Sequence, residues 1–208
     1  MSTANHASTP AVAPEAARRG GAQSAVATAP AKPDSRTRAL VRIGMLGAVG
    51  FALMFTEFAI PGFPTFLQYD PGDVPALIGG FAMGPVAGAA VALVKGLLFL
   101  ISGKDEAGWL GTAANLACSL SLVVAAAVVY ARVRTRKGAL LGLGLGVVSM
   151  VAVMSVLNYL VFLPAYGLPP AAVPDAVRMT MGFNLVKGVL TATLTFIVYK
   201  RVSPLLRS

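Results

Sequence analysis

The sequence has few of the residues on which soluble enzymes depend. Of its 208 residues only 12% are charged, one is cysteine (Cys118) and one is histidine (His6). A single cysteine can form neither an internal disulfide nor a Cys-rich metal site. No serine, histidine and aspartate set can form around a histidine that lies in an N-terminal tail, and no GxxxxGK[ST] or HExxH motif occurs. We therefore expect no catalytic site, no metal site and no ATP hydrolysis by this chain.

Apolar residues dominate instead. They make up 56% of the chain, and the mean hydropathy is +0.75, far more apolar than ordinary soluble proteins. This composition predicts an all-α integral membrane protein. The formal net charge of +9 would also suit a nucleic-acid-binding protein. The basic residues cluster at helix ends and in the N-terminal tail, however, so membrane orientation explains them better and no nucleic-acid partner is expected.

The apolar runs and their breaks predict three regions. Residues 1–37 are expected to be a disordered cytosolic tail, because they are rich in Ala, Pro, Ser and Thr and contain no apolar run that could serve as a secretory signal. Residues 38–203 are expected to form a transmembrane domain, and residues 204–208 a short cytosolic tail. Six transmembrane helices are predicted, at about 40–60, 71–83, 85–101, 112–131, 140–163 and 181–199.

The basic residues predict how these helices are oriented. If the apolar stretch 74–101 crossed the membrane only once, the basic loop at 132–137 would lie outside the cell. A break at 83–85, where a proline disfavours helix, returns that loop to the cytosol. Six crossings with both termini in the cytosol follow. The Lys and Arg residues left outside the cytosol are Lys104 and Arg178 in external loops and Lys95 and Lys187 within the membrane.

Three polar side chains at membrane depth are candidates for ligand binding, because such groups are costly there. They are Asn158, Asn184 and Lys187, and the last two lie three residues apart on one helix face. Their amides and ammonium group suit a neutral ligand with alternating carbonyl and N–H groups. The alternative is structural: the asparagines could bond to neighbouring helices, and Lys187 could extend outward or pair with an acid such as Asp175.

The sequence alone does not decide the partners of two other sites. Gly44 and Ala48 are one turn apart in the first helix, so a second helix can approach closely there, either from a partner protein or from within the same bundle. Lys95 could extend to the interface or pair with Glu57.

Three separated motifs resemble one family. The segments QYDPGDVPALIGGFAMGPVAG, LNYLVFLPAYG and FNLVKG are similar, in this order, to the riboflavin-specific substrate-binding subunit (S component) of energy-coupling-factor (ECF) transporters, and the likeness covers residues 39–200. It implies a six-helix protein of the bacterial plasma membrane that captures riboflavin from outside the cell. It also implies a transmembrane coupling protein and two ATPase subunits as partners. Riboflavin would be the transported ligand, and no cofactor is implied.

The resemblance also implies roles for individual residues. Asn158, Asn184 and Lys187 would hydrogen-bond the flavin ring system. The loop that contains Phe66, Leu67 and Tyr69 would cover it, and Gly44 and Ala48 would stand at the family's A-x-x-x-A contact with the coupling protein. An S component for another vitamin and a membrane scaffold without a transported ligand are the alternatives.

Overall fold

The computed structural model describes residues 35–105 and 107–202. The predicted C-terminal tail and most of the predicted N-terminal tail lie outside these residues. The described part contains α1 (Ser35–Met54), β1 (Phe58–Ala59), β2 (Gln68–Tyr69), α2 (Asp73–Met83), α3 (Pro85–Ser102), α4 (Gly108–Arg132), α5 (Arg136–Leu157), a π-helical turn (Asn158–Phe162), α6 (Leu163–Ala165) and α7 (Val173–Val202).

Within the described residues, five helical segments are long and apolar enough to cross a membrane. They are α1, α3, α4, the continuous run Arg136–Ala165 and α7. The apolar helix α2 has 11 residues, which gives it a length of about 16 Å, roughly half the thickness of a hydrocarbon core. Large apolar side chains cover the outside of the bundle, for example Val148 and Leu160. The expectation of a helical membrane protein is confirmed.

Helix α4 lies at the centre of the bundle and packs against α2, α3 and α5. Leu122 and Ala126 of α4 are buried in the core. Helix α5 contains the run GLGLG at residues 142–146, and two of its glycines let α5 approach α4 closely. A Cβ at Gly142 would lie 2.6 Å from the Ala126 carbonyl oxygen, and a Cβ at Gly146 would lie 2.7 Å from the Leu122 carbonyl oxygen. This run serves close helix packing rather than nucleotide binding.

The break predicted at residues 83–85 is confirmed. Helix α2 ends at Met83 and α3 begins at Pro85. Between them Gly84 has a φ of 101°, a conformation that favours glycine. Pro85 occupies the first turn of α3, where its missing N–H costs no helical hydrogen bond. Helices α2 and α3 therefore form a tight helical hairpin.

The first helix is shorter than predicted. It was expected to run to residue 60, but α1 ends at Met54. The chain after it pairs with a later segment, so that Phe58 lies opposite Tyr69 in an antiparallel β-hairpin. The two rings pack edge to face with their centroids 5.4 Å apart. Tertiary pairing overrides the helical tendency of this apolar run, which sequence periodicity alone cannot reveal.

Three of the other helices begin earlier than predicted. Helix α5 begins at Arg136 rather than near 140. Helix α4 begins at Gly108 rather than near 112, and α7 begins at Val173 rather than near 181. The start of α7 includes Asp175 and Arg178, which form an exposed ion pair of 2.8 Å one turn apart. At its other end, α1 begins at Ser35, inside the region predicted to be a tail.

Candidate functional site

The four residues after β2, Asp70-Pro71-Gly72-Asp73, form a turn that carries two carboxylates into the bundle. Asp70 is 3% and Asp73 0% exposed. The Gly72 amide donates to Asp70 Oδ1 at 3.0 Å. A Cβ on Gly72 would lie 2.8 Å from the Gly50 carbonyl oxygen, so a residue without a side chain lets the turn sit against α1. Asp73 opens α2, where a negative charge is favoured by the helix dipole.

Asp73 joins three helices. Its Oδ1 accepts hydrogen bonds from Lys95 Nζ of α3 at 2.5 Å and from the Ser119 hydroxyl of α4. Lys95 also donates to Ser119 Oγ at 3.0 Å. The suggested pairing of Lys95 with Glu57 is therefore wrong, because Asp73 lies closer within the bundle and Glu57 pairs instead with Lys104 at 3.1 Å near the surface.

Asp70 makes a second buried ion pair, with α7. Lys187 Nζ donates to Asp70 Oδ2 at 3.0 Å, and Asn115 Nδ2 of α4 lies 3.4 Å from the same oxygen. The suggested pairing of Lys187 with Asp175 is wrong, since Asp175 stands outside the core and pairs with Arg178 on its own helix.

The two ion pairs form one electrostatic unit. Burial alone would raise the pKa of the Asp70 carboxyl, but the ammonium groups of Lys187 and Lys95 and the Gly72 amide hold that pKa well below its usual value. Two carboxylates and two ammonium groups leave the cluster formally neutral. A neutral cluster of this kind is compatible with a neutral ligand, whereas an uncompensated charge in the bundle would be costly.

Asn158 lies at the start of the π-helical turn. In that turn the Leu163 amide reaches back five residues to the Asn158 carbonyl; the next residue, Pro164, has no N–H to continue an α-helical pattern. The Asn158 side chain is 7% exposed, and its Nδ2 donates to the Thr180 hydroxyl of α7 at 3.0 Å. Asn158 therefore bonds to a neighbouring helix, and the residue that it contacts, Thr180, lies one turn before Asn184.

Asn184 and Lys187 share an inward face of α7, as their spacing predicted, and they are 6% and 5% exposed. Among the residues with described positions, the Asn184 side chain has no hydrogen-bond partner. Lys187 has three N–H donors, of which one goes to Asp70. The same face continues one turn further with Thr191, whose hydroxyl is buried.

The predicted covering loop is the β1–β2 hairpin and its turn. Of the three residues named for it, Tyr69 is 3% exposed, Phe66 is 72% exposed and Leu67 is half-buried. The Tyr69 hydroxyl is buried and lies near the Thr191 hydroxyl of α7. Phe63 of the turn packs edge to face on Phe183 of α7, with centroids 5.6 Å apart. The hairpin thus rests on α7 beside Asn184.

The first-helix residues Gly44 and Ala48 are both exposed. A Cβ on Gly44 would have no described heavy atom within 4 Å, whereas one on Gly47 would lie 2.5 Å from the Val94 side chain. Close packing within the bundle is therefore made by Gly47 and its face of α1. Gly44 and Ala48 lie on a different face, directed away from the bundle.

Sequence reasoning missed four residues of the polar cluster: Asp70, Asp73, Asn115 and Ser119. One signal was available. Two lysines in apolar segments need two buried acids, and the DPGD turn contains two aspartates beside an apolar segment.

Comparison with known proteins shows the family. The model of the family "ECF transporter, substrate-specific component" matches residues 38–202. The riboflavin transporter RibU of Staphylococcus aureus (strain TCH60) is 37% identical over 180 residues, which cover 83% of this chain and 94% of the relative. The riboflavin transporter FmnP of Bacillus subtilis (strain 168) is 32% identical over 178 residues, covering 81% and 94%.

A solved structure agrees with these matches. It is that of the S component of a bacterial ECF transporter, and it aligns with a TM-score of 0.72 and 36% identity over 83% of this chain and 99% of that one. These relatives are transporter components of the membrane and not enzymes. This chain belongs to the family of substrate-specific components of ECF transporters.

Proposed function

We propose that this chain is the riboflavin-binding subunit of an ECF transporter, which captures riboflavin at the extracellular side for uptake driven by ATP hydrolysis in partner subunits. The observation that carries the proposal is its similarity to two proteins named as riboflavin transporters, at 37% and 32% identity over 94% of each. With that much of the scaffold shared, we infer that the ligand is shared too.

The geometry of α7 supports a flavin site. The Asn184 amide, with no partner among the described residues, offers donors and an acceptor, and Lys187 retains two N–H donors beyond its bond to Asp70. The flavin ring carries carbonyl oxygens beside an N–H group, and such groups would pair with this set. Asn158 would join them if its amide turned from Thr180 to the ligand.

The hairpin would form the outer wall of this site. Phe66 and Leu67 lie in the turn between β1 and β2, and Tyr69 brings a buried hydroxyl to the side that faces the bundle. Ring-shaped ligands gain much of their affinity from burial of apolar surface. We propose that the hairpin closes over the flavin and that Phe66, now exposed, packs more closely once the ligand is bound.

The proposed topology has six membrane crossings with both termini in the cytosol. The short α2 would be the second crossing, its shortfall covered by α1, α3 and α4, which pack around it. This arrangement puts the basic segment at 132–137 on the same side as Arg36 and Arg201, in accord with the positive-inside rule. The hairpin and the α3–α4 loop then lie outside.

The proposed partners are a transmembrane coupling protein and two ATPase subunits. The chain has no nucleotide-binding motif, so ATP would be hydrolysed by partners. The small residues Gly44 and Ala48 leave a shallow strip on the outer face of α1, where a helix of the coupling protein could approach closely.

A direct test is to purify the protein in detergent and to measure bound flavin by its visible absorption and its quenched fluorescence. Riboflavin should copurify or bind on titration. A second vitamin of different shape, such as thiamine, tests the alternative that the scaffold is fitted to another ligand. If thiamine binds and riboflavin does not, the ligand assignment is wrong. If neither binds, a scaffold without a transported ligand becomes the better explanation.

A further inference from the structure

We infer that Asp70 is a positioning residue for ligand binding: its ion pair with Lys187 aims the ammonium group at the flavin and ties closure of the hairpin to an occupied site. This inference rests on the proposed function and deepens it. Asp70 itself need not touch the ligand, because both of its carboxylate oxygens already accept hydrogen bonds from protein groups.

The carboxylate of Asp70 is fixed on both of its oxygens. Oδ1 accepts from the Gly72 amide at 3.0 Å, while Oδ2 accepts from Lys187 at 3.0 Å and faces Asn115 at 3.4 Å. The turn itself is held because Gly72 lies against the backbone of Gly50 in α1. A carboxylate held in this way sets the position of the lysine that binds it.

Lys187 depends on Asp70 for its charge balance. Its side chain is buried, and Asp70 is the carboxylate with which it forms a hydrogen bond within the described residues. The other acid of the cluster, Asp73, bonds through Oδ1 to Lys95 and Ser119, and its Oδ2 forms no hydrogen bond with Lys187 or with any other described residue. A long, flexible lysine side chain would otherwise have several rotamers open to it. The ion pair selects one of them and leaves two N–H donors for a ligand.

The position of Asp70 in the chain links this pair to the hairpin. Asp70 follows β2 directly, after Tyr69. Asp70 is the residue at which the hairpin joins the turn held against α1. An outward movement of the hairpin that carried Tyr69 away would therefore pull on the Asp70 carboxylate and weaken its bond to Lys187, and a buried ammonium group without its partner is strongly unfavourable. A flavin that accepts hydrogen bonds from Lys187 favours the paired state. Ligand binding on α7 and closure of the hairpin therefore stabilise each other.

The test is a double-mutant cycle with Asp70→Asn, Lys187→Gln and the double variant, measured by titration of riboflavin fluorescence and by the dissociation rate. If Asp70 acts through Lys187, Asp70→Asn alone weakens binding about tenfold or more and speeds dissociation. Added to Lys187→Gln, it causes little further loss. The matched control is Glu57→Gln, which removes a carboxylate before the other strand of the hairpin without touching Lys187. It should bind as the wild type does.

The visible absorption spectrum of bound flavin gives a readout that a purely structural role would not change. Hydrogen bonds to the ring shift its bands, so Asp70→Asn and Lys187→Gln should shift them alike, while Glu57→Gln should not. If Asp70→Asn does not fold, Asp70→Glu keeps the charge but displaces the carboxylate, and it should show the same kind of shift. Additive losses in the cycle, or an unchanged spectrum in the Asp70 variants, would overturn the inference.

The two proposals can fail separately. If the wild type binds riboflavin and the Asp70 variants bind it equally well, the positioning role is wrong and the function stands. If the wild type binds no riboflavin, the function is wrong. The link between the ion pair and the hairpin is then decided by hydrogen exchange without ligand: Asp70→Asn and Lys187→Gln should both lose amide protection across residues 58–69. Protection equal to that of the wild type would overturn the link as well.

Discussion

Replacing Asn184 with Ala gives the cleanest test of the α7 face. The side chain is 6% exposed, and no described residue forms a hydrogen bond with it. Its removal therefore leaves no protein group of the described structure unpaired in the absence of ligand. With flavin bound, the ring atoms that hydrogen-bond the Asn184 amide in the wild type would have no partner in a site closed to water.

The expected loss follows from the cost of leaving a buried polar group unpaired, about 1–3 kcal/mol. This corresponds to a dissociation constant about 5-fold to 150-fold higher. Substitution of either of the other two candidate residues, Asn158 and Lys187, does not isolate the effect on ligand binding. Asn158→Ala also frees the Thr180 hydroxyl, and Lys187→Ala also leaves the Asp70 carboxylate buried without its cation, so both mix binding with stability.

The assay is titration of riboflavin fluorescence in detergent, together with thermal unfolding of the ligand-free protein. The matched control is Leu185→Ala, at the next position of α7, whose side chain is 51% exposed on the outer face. The control should bind as the wild type does. An Asn184→Ala protein with wild-type affinity would remove Asn184 from the site, and a large fall in its ligand-free melting temperature would show a structural role instead.

Three other outcomes are expected. Gly44→Leu should reduce complex assembly and uptake while sparing riboflavin binding, since the residue faces away from the bundle; normal pull-down of the coupling protein would contradict this. Lys95→Met should destabilise by about 3–5 kcal/mol in thermal unfolding, because Asp73 loses its buried cation, whereas Lys104→Met at a partly exposed pair should cost about 0–1 kcal/mol. The folded pKa of Asp70 lies below its unfolded value of about 3.9, so its contribution to stability is present above that pH and is lost as the pH falls through the folded pKa. The melting temperature should change little from about pH 7 to about pH 5 on this account, and its fall below about pH 4 should be smaller in Asp70→Asn.

The parts of the fold that local sequence determines were predicted well. The break at 83–85 follows from a glycine and a proline, whose backbone preferences act within a few residues. The shared face of Asn184 and Lys187 follows from helical periodicity alone, and both side chains are buried as expected.

Contacts between distant segments could not be predicted in the same way. The early end of α1 depends on pairing Phe58 with Tyr69 across a long turn, and strands of two residues leave almost no periodic signal. The partner of Lys187 is 117 residues away. The two acids suggested as partners, Glu57 and Asp175, lie between α1 and β1 and in the first turn of α7. They pair there with Lys104 and Arg178.

Charge balance limits which acids can pair with the buried lysines more strongly than helical periodicity does. Two lysines in apolar helices require two nearby carboxylates, and the two aspartates of the DPGD turn stand directly before a buried helix. Which aspartate meets which lysine depends on how α3 and α7 pack around that turn, and packing is a property of the whole bundle. Asp73 belongs to α2, while Asp70 follows the hairpin. The same motif thus contributes one ion pair that joins α2 to α3 and another that joins the end of the hairpin to α7.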